Sequence, residues 1–299
     1  TPEKKKVQEL EDNVGFNRLF DIADDPDSTS MEQYIKRGLQ RGDPEFKLDR
    51  LPLNKRAFQQ IVKYGGHVKS VNFRTIMGLK PASLEVLRAL PLTGVTITFG
   101  DLGDDGLATI AKFPTLRALA VSETHELSDK ALVCLKDAHL YALHAEGFAI
   151  SADSWKEFLP RNHYTALEFF GSSRTDMGDS VHILPVKEGV PLIVKCANLR
   201  SLALVSTDID DSDVAKLSTL SGLEDLNLSR NRKVSDASVP SLLKLHKLEK
   251  LDLSDTHLTT AGLEKFVRES HCKKTKVSIQ HVRVSRYLEQ QATAGRVEV

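Results

Sequence analysis

Cysteine is scarce in this chain: there are three among 299 residues, Cys134, Cys196 and Cys272. An odd, sparse set excludes a disulfide framework, and no pair has the spacing of metal ligands. Cys196 is expected to serve as a small buried apolar residue. Charge of one sign is also missing. Lysine plus arginine number 41 and aspartate plus glutamate number 41, so no global field favours nucleic acid or an acidic membrane surface. No apolar run approaches the ~18 residues of a membrane span, and there is no signal-peptide pattern. The chain opens on Thr1 and not on Met. The expected location is therefore either the cytoplasm or outside the cell after removal of a leader. Tryptophan occurs once, at Trp155, and this residue is expected in the core.

Recognisable reaction chemistry is absent too. The sequence has no Walker loop, GxGxxG, GxSxG or HExxH. GDLGDDG at 100–106 is acidic and glycine-rich, but it lacks the twelve-residue spacing and closing glutamate of a calcium loop. It reads as a turn at Leu102 followed by a helix start at Asp104. His139, His144, His163 and His182 lie close in sequence. Only His144 and Glu146 share a strand face, whereas a metal needs three or four converging ligands. The expectation is no enzyme, no cofactor and no metal.

What the chain does have is a repeat. LRSLALVSTDIDDSDVAKLSTLSG begins at Leu199, LEDLNLSRNRKVSDASVPSLLKLHK at Leu223 and LEKLDLSDTHLTTAGLEKFVRESH at Leu248. Each copy opens on leucine and carries apolar residues three and five positions on: Leu202 and Leu204, Leu226 and Leu228, Leu251 and Leu253. Further copies open at Val68, Leu92, Leu116, Leu140 and Tyr164, and a first, weaker one starts near Asp43. The Leu-x-Leu alternation has period two, so both leucines face one side of a short strand. The run that follows has helical spacing. One strand and one helix cannot bury an apolar side alone. Stacked coils bury a continuous core and pair their strands in parallel. Helices are wider than strands, so the stack curves with its strands on the inside. Between strand and helix, an apolar residue precedes Ser, Thr, Asp or Asn at Asn54, Ser128, Ser151, Asp210, Ser235 and Thr259. Their oxygens can cap the helices that follow.

On these residues the chain resembles the leucine-rich repeat family. Its unit, T-x-[IVL]-[ST]-D-x-x-[LV] repeating about every 24 residues, is similar to repeats of many bacterial proteins. It is also similar to the cysteine-containing repeats of F-box-type adaptors, although the family's cysteine position here holds Thr124, Thr207, Asn231 and Thr256. The resemblance implies an α/β leucine-rich repeat solenoid: a curved right-handed horseshoe of about nine repeats, with concave parallel strands and convex helices. Residues 1–42 are expected to form an N-terminal helical cap, 43–280 the solenoid, and 281–299 a C-terminal cap and tail.

The sixth copy is 35 residues long, which places an insertion at 173–189. Exposed loops of this kind often carry binding. Candidate partner-binding residues are therefore Arg174, Asp176 and His182 in that loop. Along the concave ladder they are Arg74, Phe99, Glu123, His144, Glu146, Val205, Arg230, Asp252 and Asp255. Phe99 and Val205 are expected to be exposed apolar groups. The implied function is a protein-binding scaffold, monomeric, with an unidentified protein partner, no nucleic acid and no membrane span. Two other readings stand beside it: a ubiquitin-ligase-type adaptor or effector, and a ligand- or metal-binding protein or enzyme that uses the 173–189 loop.

Overall fold

A computed structural model of the chain describes residues 29–49, 55–76, 79–124, 127–160, 162–171, 184–270, 275–280 and 285–298. Eleven strands form one parallel sheet in strict sequence order, β1 next to β2 and so on to β11. The first seven are Glu45–Asp49, Ser70–Arg74, Gly94–Thr98, Ala118–Ser122, Ala142–Glu146, Ala166–Phe170 and Ser201–Val205. The last four are Asp225–Asn227, Lys250–Asp252, Lys276–Ser278 and Val297–Glu298. Between strands the chain crosses the other side as a short α-helix or 3-10 helix, such as Asp104–Ala111, Ala131–Asp137, Ala152–Phe158 or Asp211–Leu217. This is the solenoid that the repeat implies, two strands longer than the copies counted in the sequence.

The period-two leucines set the core. The pairs Leu119 and Val121, Leu143 and Ala145, Leu202 and Leu204, Leu226 and Leu228, and Leu251 and Leu253 are each at most 2% exposed. Each buried leucine contributes about 1.5–3 kcal/mol. Trp155 is fully buried and packs edge-on against Phe169, with ring centroids 4.8 Å apart. Cys196 is half-buried against the core, and burial pushes its thiol up to about 11.

The Ser/Thr-Asp pairs perform two tasks. The first residue caps its own helix: Ser151 accepts from Ser154 N–H, Asp210 from Ser212 and Asp213, Ser235 from Ala237, and Thr259 from Gly262. An aspartate at the helix start then receives the next coil. Asp104 accepts from Ser128 N–H and hydroxyl at 2.9 and 2.5 Å. Asp211 accepts from Ser235 at 2.8 and 2.7 Å and from the Ser238 hydroxyl. Asp236 accepts from Thr259 at 2.7 and 2.5 Å. One carboxylate thus satisfies donors of the following helix start, which would otherwise be orphaned. Consecutive coils are stitched along the strand-end edge of the stack.

At the first described end, helix Thr29–Leu39 buries Ile35 and Leu39 and packs on helix Lys55–Tyr64. Most of the expected N-terminal cap lies outside the described residues. At the other end, helix Arg286–Thr293 buries Leu288, and the Arg268 guanidinium lies 3.8 Å from the centre of the Tyr287 ring. The chain after Gly295 does not leave the stack as a tail. Val297 and Glu298 pair with Val277 and Ser278 as β11, because the β10 edge still offers unpaired backbone groups. No helix among the described residues is long and apolar enough to cross a membrane.

Candidate functional site

Alternation turns the first, third and fifth residues of each strand away from the core. Sheet register aligns the third ones in a column: Asn72, Thr96, Ala120, His144, Glu168, Ala203, Asn227 and Asp252. On this face a groove of about 310 Å³ runs across β1 to β6. Its floor is small (Ser70, Gly94, Ala118, Ala142 and Ala166), and Glu45, His144 and Glu168 stand along it.

His144 is the centre of a polar cluster. Its Nδ1 lies 2.9 Å from Glu168 Oε2, and its Nε2 lies 3.5 Å from Glu146 Oε2. A neutral imidazole can donate from only one nitrogen, so carboxylates on both sides favour the imidazolium. Burial alone would lower the pKa of His144. The hydrogen bonds and charges of Glu146 and Glu168 outweigh it and raise the value from 6.5 to about 9. The Glu168 carboxyl is held below its ordinary range by its hydrogen bond to His144, against burial. The Phe170 ring packs beside the imidazole, with centroids 5.0 Å apart. Both ring nitrogens face carboxylates and none points to a free coordination position. Among the described residues no group of three or more His, Cys, Asp or Glu is arranged to hold a metal.

The expected ladder residues fall into three environments. Arg74 ends β2 and is exposed, and Glu146 ends β5 half-buried. Asp252 ends β9 and accepts the Ser254 N–H at 2.9 Å. Val205, expected to be exposed, is only 6% accessible. The larger Phe170 is its register partner, and neighbouring side chains on the face shield a short one.

Phe99, Glu123, Arg230 and Asp255 are not flat ladder positions. With Thr75, Gly147 and Ser206 they form a column of left-handed residues, with φ between 51° and 82°. Each sits just past its strand and donates its N–H to the next coil, as from Phe99 to Ser122 O at 3.1 Å and from Arg230 to Ser254 O at 2.8 Å. Six of the seven are not glycine, so the ladder hydrogen bond outweighs a conformational cost of about 1 kcal/mol at each. Glu123 is 7% exposed, and its carboxylate lies against Gly147, where a Cβ would come within 3.1 Å.

Arg174, Asp176 and His182 lie outside the described residues. The end of the expected insertion, Leu184 to Gly189, is held to the next coil. Leu184 bridges Thr207, and the N–H groups of Val186 and Lys187 donate to the Asp208 carboxylate at 2.7 and 3.0 Å. Lys187 Nζ donates to Asp210 at 2.5 Å, and this bond with that from Ser212 holds the Asp210 carboxyl well below the ordinary carboxylate range.

Sequence reasoning passed over two groups of surface residues. Glu168 and Phe170 are one; Glu168 falls 24 positions after His144, so the repeat period alone locates it. The other is the rim formed by the residue before each strand: Lys69, Thr93, Arg117, Tyr141, Thr165 and Arg200. The N–H of each donates to the carbonyl of the one before, at 2.7 to 2.9 Å, so these residues also stand in register. Tyr141 is 48% accessible, the one large exposed hydrophobic side chain among the described residues.

Comparison with known proteins agrees with this geometry. A leucine-rich repeat family model matches residues 195–218 and 244–267. No protein with a curated description matches the sequence. Among solved structures, the Rad7 and Elc1 complex of yeast aligns over 98% of this chain and 89% of the matched one, with 14% identity and a TM-score of 0.57. An internalin (inlF) of Listeria monocytogenes aligns over 83% of this chain and 70% of its own, with 16% identity and a TM-score of 0.52. The TLR13–ssRNA13 complex aligns over 81% of this chain at 18% identity and a TM-score of 0.53, and this chain covers 33% of that one. At such identities the likeness concerns the fold.

Proposed function

Because the chain is a solenoid of leucine-rich repeats, we propose that it is a non-enzymatic scaffold that binds a protein partner on its concave strand face. The observation that carries this reading is the groove of about 310 Å³ across β1 to β6, bordered by the His144–Glu146–Glu168 cluster. A curved sheet face has no further layer to pack against, which leaves its outward residues accessible to a partner. His144 and Glu168 are held in fixed geometry by each other, which lowers the ordering cost of an interface. Rad7 is found in complex with Elc1, which is in keeping with protein binding by this fold. Arg74, Glu146 and Asp252 lie on the same face as the groove. Phe99, Arg230 and Asp255 extend it along the strand-end edge. The chain acts as a monomer, with the segments 1–42 and 281–299 capping the two ends of the stack.

The test is affinity capture with three proteins: the intact chain, a T96W/A120W variant that fills the groove, and a chain lacking 173–183. Loss of the captured partner in the filled-groove variant alone supports the groove. Loss only in the deletion moves the site to the inserted loop, where Arg174, Asp176 and His182 lie. A partner retained by all three contradicts both sites.

A further inference from the structure

We infer that the rim at the strand starts of β2 to β7 docks an extended, acidic segment of a protein partner. Lys69, Arg117 and Arg200 receive its carboxylates, and Tyr141 receives an apolar side chain between Arg117 and Arg200. The inference rests on the protein-binding reading of the concave face and gives that partner its chemistry.

The rim carries one sign of charge. From β2 to β7 its residues are Lys69, Thr93, Arg117, Tyr141, Thr165 and Arg200, with no carboxylate among them. Beyond β7 the sign reverses: the corresponding residues are Glu224 and Glu249, and Glu224 pairs with Arg200 at 3.3 Å. The cationic stretch therefore has a defined end. Lys69 and Arg117 make no ion pair with any described residue; Arg117 spends one N–H on the carbonyl of Leu116 at 2.6 Å. Helix-end electrostatics do not account for them. A cation that complements a helix dipole sits in the last helical turn, whereas these two stand at the strand starts, beyond Tyr64 and Ala111 where the preceding helices end. Lys69 and Arg117, without a carboxylate partner among the described residues, stand in register with Tyr141, the one exposed large hydrophobic side chain among those residues. Arginine and tyrosine are also the residue types that anchor interfaces.

Register gives the spacing. Lys69 to Arg200 crosses five strand intervals, about 24 Å at ~4.8 Å each, and Arg117 to Arg200 crosses three, about 14 Å. In an extended peptide, residues four apart point to the same side and lie about 14 Å from each other. Carboxylates at such positions reach Arg117 and Arg200, while the residue midway between them meets Tyr141. Beside the rim, the floor of Ser70, Gly94 and Ala118 leaves room for a peptide backbone.

The opposite wall selects between polyanions. Glu146 and Glu168 outnumber the single imidazolium between them. An extended peptide can carry its acids on the rim side only. A nucleic-acid strand carries a phosphate on every unit and meets repulsion from that wall.

Fluorescence anisotropy at low salt tests the inference with the full chain. One labelled probe carries glutamate at every fourth position, leucine midway between the glutamates and alanine elsewhere, over about eight residues, matching the rim's span. The second replaces glutamate with lysine, and the third is a single-stranded RNA of equal length. The expected result is saturable binding of the glutamate peptide, weakened about tenfold or more by K69E/R117E. Y141A weakens it less, and K265E on the convex side has no effect. Lys69, Tyr141 and Lys265 are exposed and Arg117 is half-buried, and circular dichroism verifies that the variants fold. Preference for the lysine peptide overturns the acidic assignment and leaves the peptide-binding face standing. RNA bound more tightly than either peptide overturns both. If no probe binds, or if the double variant binds the glutamate peptide unchanged, this inference fails, while the scaffold reading is judged by the capture experiment.

Discussion

One repeat position provides a graded test of how the stack is held together. Thr124, Thr207, Asn231 and Thr256 occupy it in the copies that open at Leu116, Leu199, Leu223 and Leu248. Asn231 is 1% exposed and fully used. Its Oδ1 accepts from Thr207 N–H and Oγ1 at 2.8 and 2.9 Å. Its Nδ2 donates to Leu204 O at 2.6 Å and Leu228 O at 2.9 Å. Asn231→Leu keeps the branched shape at a somewhat larger volume and removes the partner of two donors and two acceptors. At about 1 kcal/mol each the loss is about 3–4 kcal/mol. Thr256 is half-buried; its hydroxyl donates to Leu253 O at 2.8 Å and accepts the Leu258 N–H over a longer 3.4 Å, so Thr256→Val is expected to cost about 1 kcal/mol. The Thr124 hydroxyl is buried with no partner. Thr124→Val removes an unsatisfied group at equal shape and is expected to be neutral or stabilising. Urea unfolding followed by circular dichroism reads all three. With a slope of about 3 kcal/mol/M, Asn231→Leu lowers the midpoint by about 1 M, Thr256→Val by a third of that, and Thr124→Val leaves it unchanged or raises it. Equal shifts for the three would refute the claim that hydrogen-bond satisfaction, and not side-chain volume, governs this position.

Other perturbations separate the faces of the solenoid. Leu226→Asp places an unpaired charge at a site 2% exposed and is expected to unfold the stack, seen as loss of the cooperative transition. Asp252→Ala on the next coil removes only the acceptor of the Ser254 N–H and is expected to cost about 1 kcal/mol; similar losses for both would mean that the register is wrong. Asp211→Ala removes the acceptor of Ser235 and Ser238 in the next coil. It is expected to cost about 2 kcal/mol and to speed amide exchange at Ser235, whereas uniform exchange along the chain would contradict the stitching. The His144 pKa is raised on folding, so its contribution is fully present below pH 6.5 and is lost as pH rises through about 9. After discounting for the partly exposed Glu168 it amounts to about 1–3 kcal/mol. A stability profile from pH 6 to 10 should fall across that window, and His144→Gln should flatten it.

The core was legible because burial follows period two, and every Leu-x-Leu pair from β4 onward points inward as its spacing demands. Caps were legible in part. Ser151 and Thr259 act as their chemistry predicts, but the second task of Asp211, receiving the next coil, is a contact between coils that no local pattern contains. The left-handed column was hidden for a related reason. Phe99, Glu123 and Arg230 do not favour positive φ, and only the ladder bond to the following strand imposes it. Val205 reads as exposed by alternation, and its burial depends on Phe170 one strand away. Glu168 lies one repeat period after His144, but their pairing is a contact between neighbouring strands that no local pattern contains. Residues Arg174, Asp176 and His182, expected to bind, lie outside the described structure.

The central claim, that the concave strand face is where a protein partner sits, is tested most directly by site-specific photo-crosslinking. A photoreactive phenylalanine analogue is placed at Thr96 or Ala120 on the concave face, or at Lys216 or Lys265 on the convex helices. Covalent adducts with the captured partner are expected from the two concave positions and none from the convex pair. Adducts confined to the convex positions would contradict it.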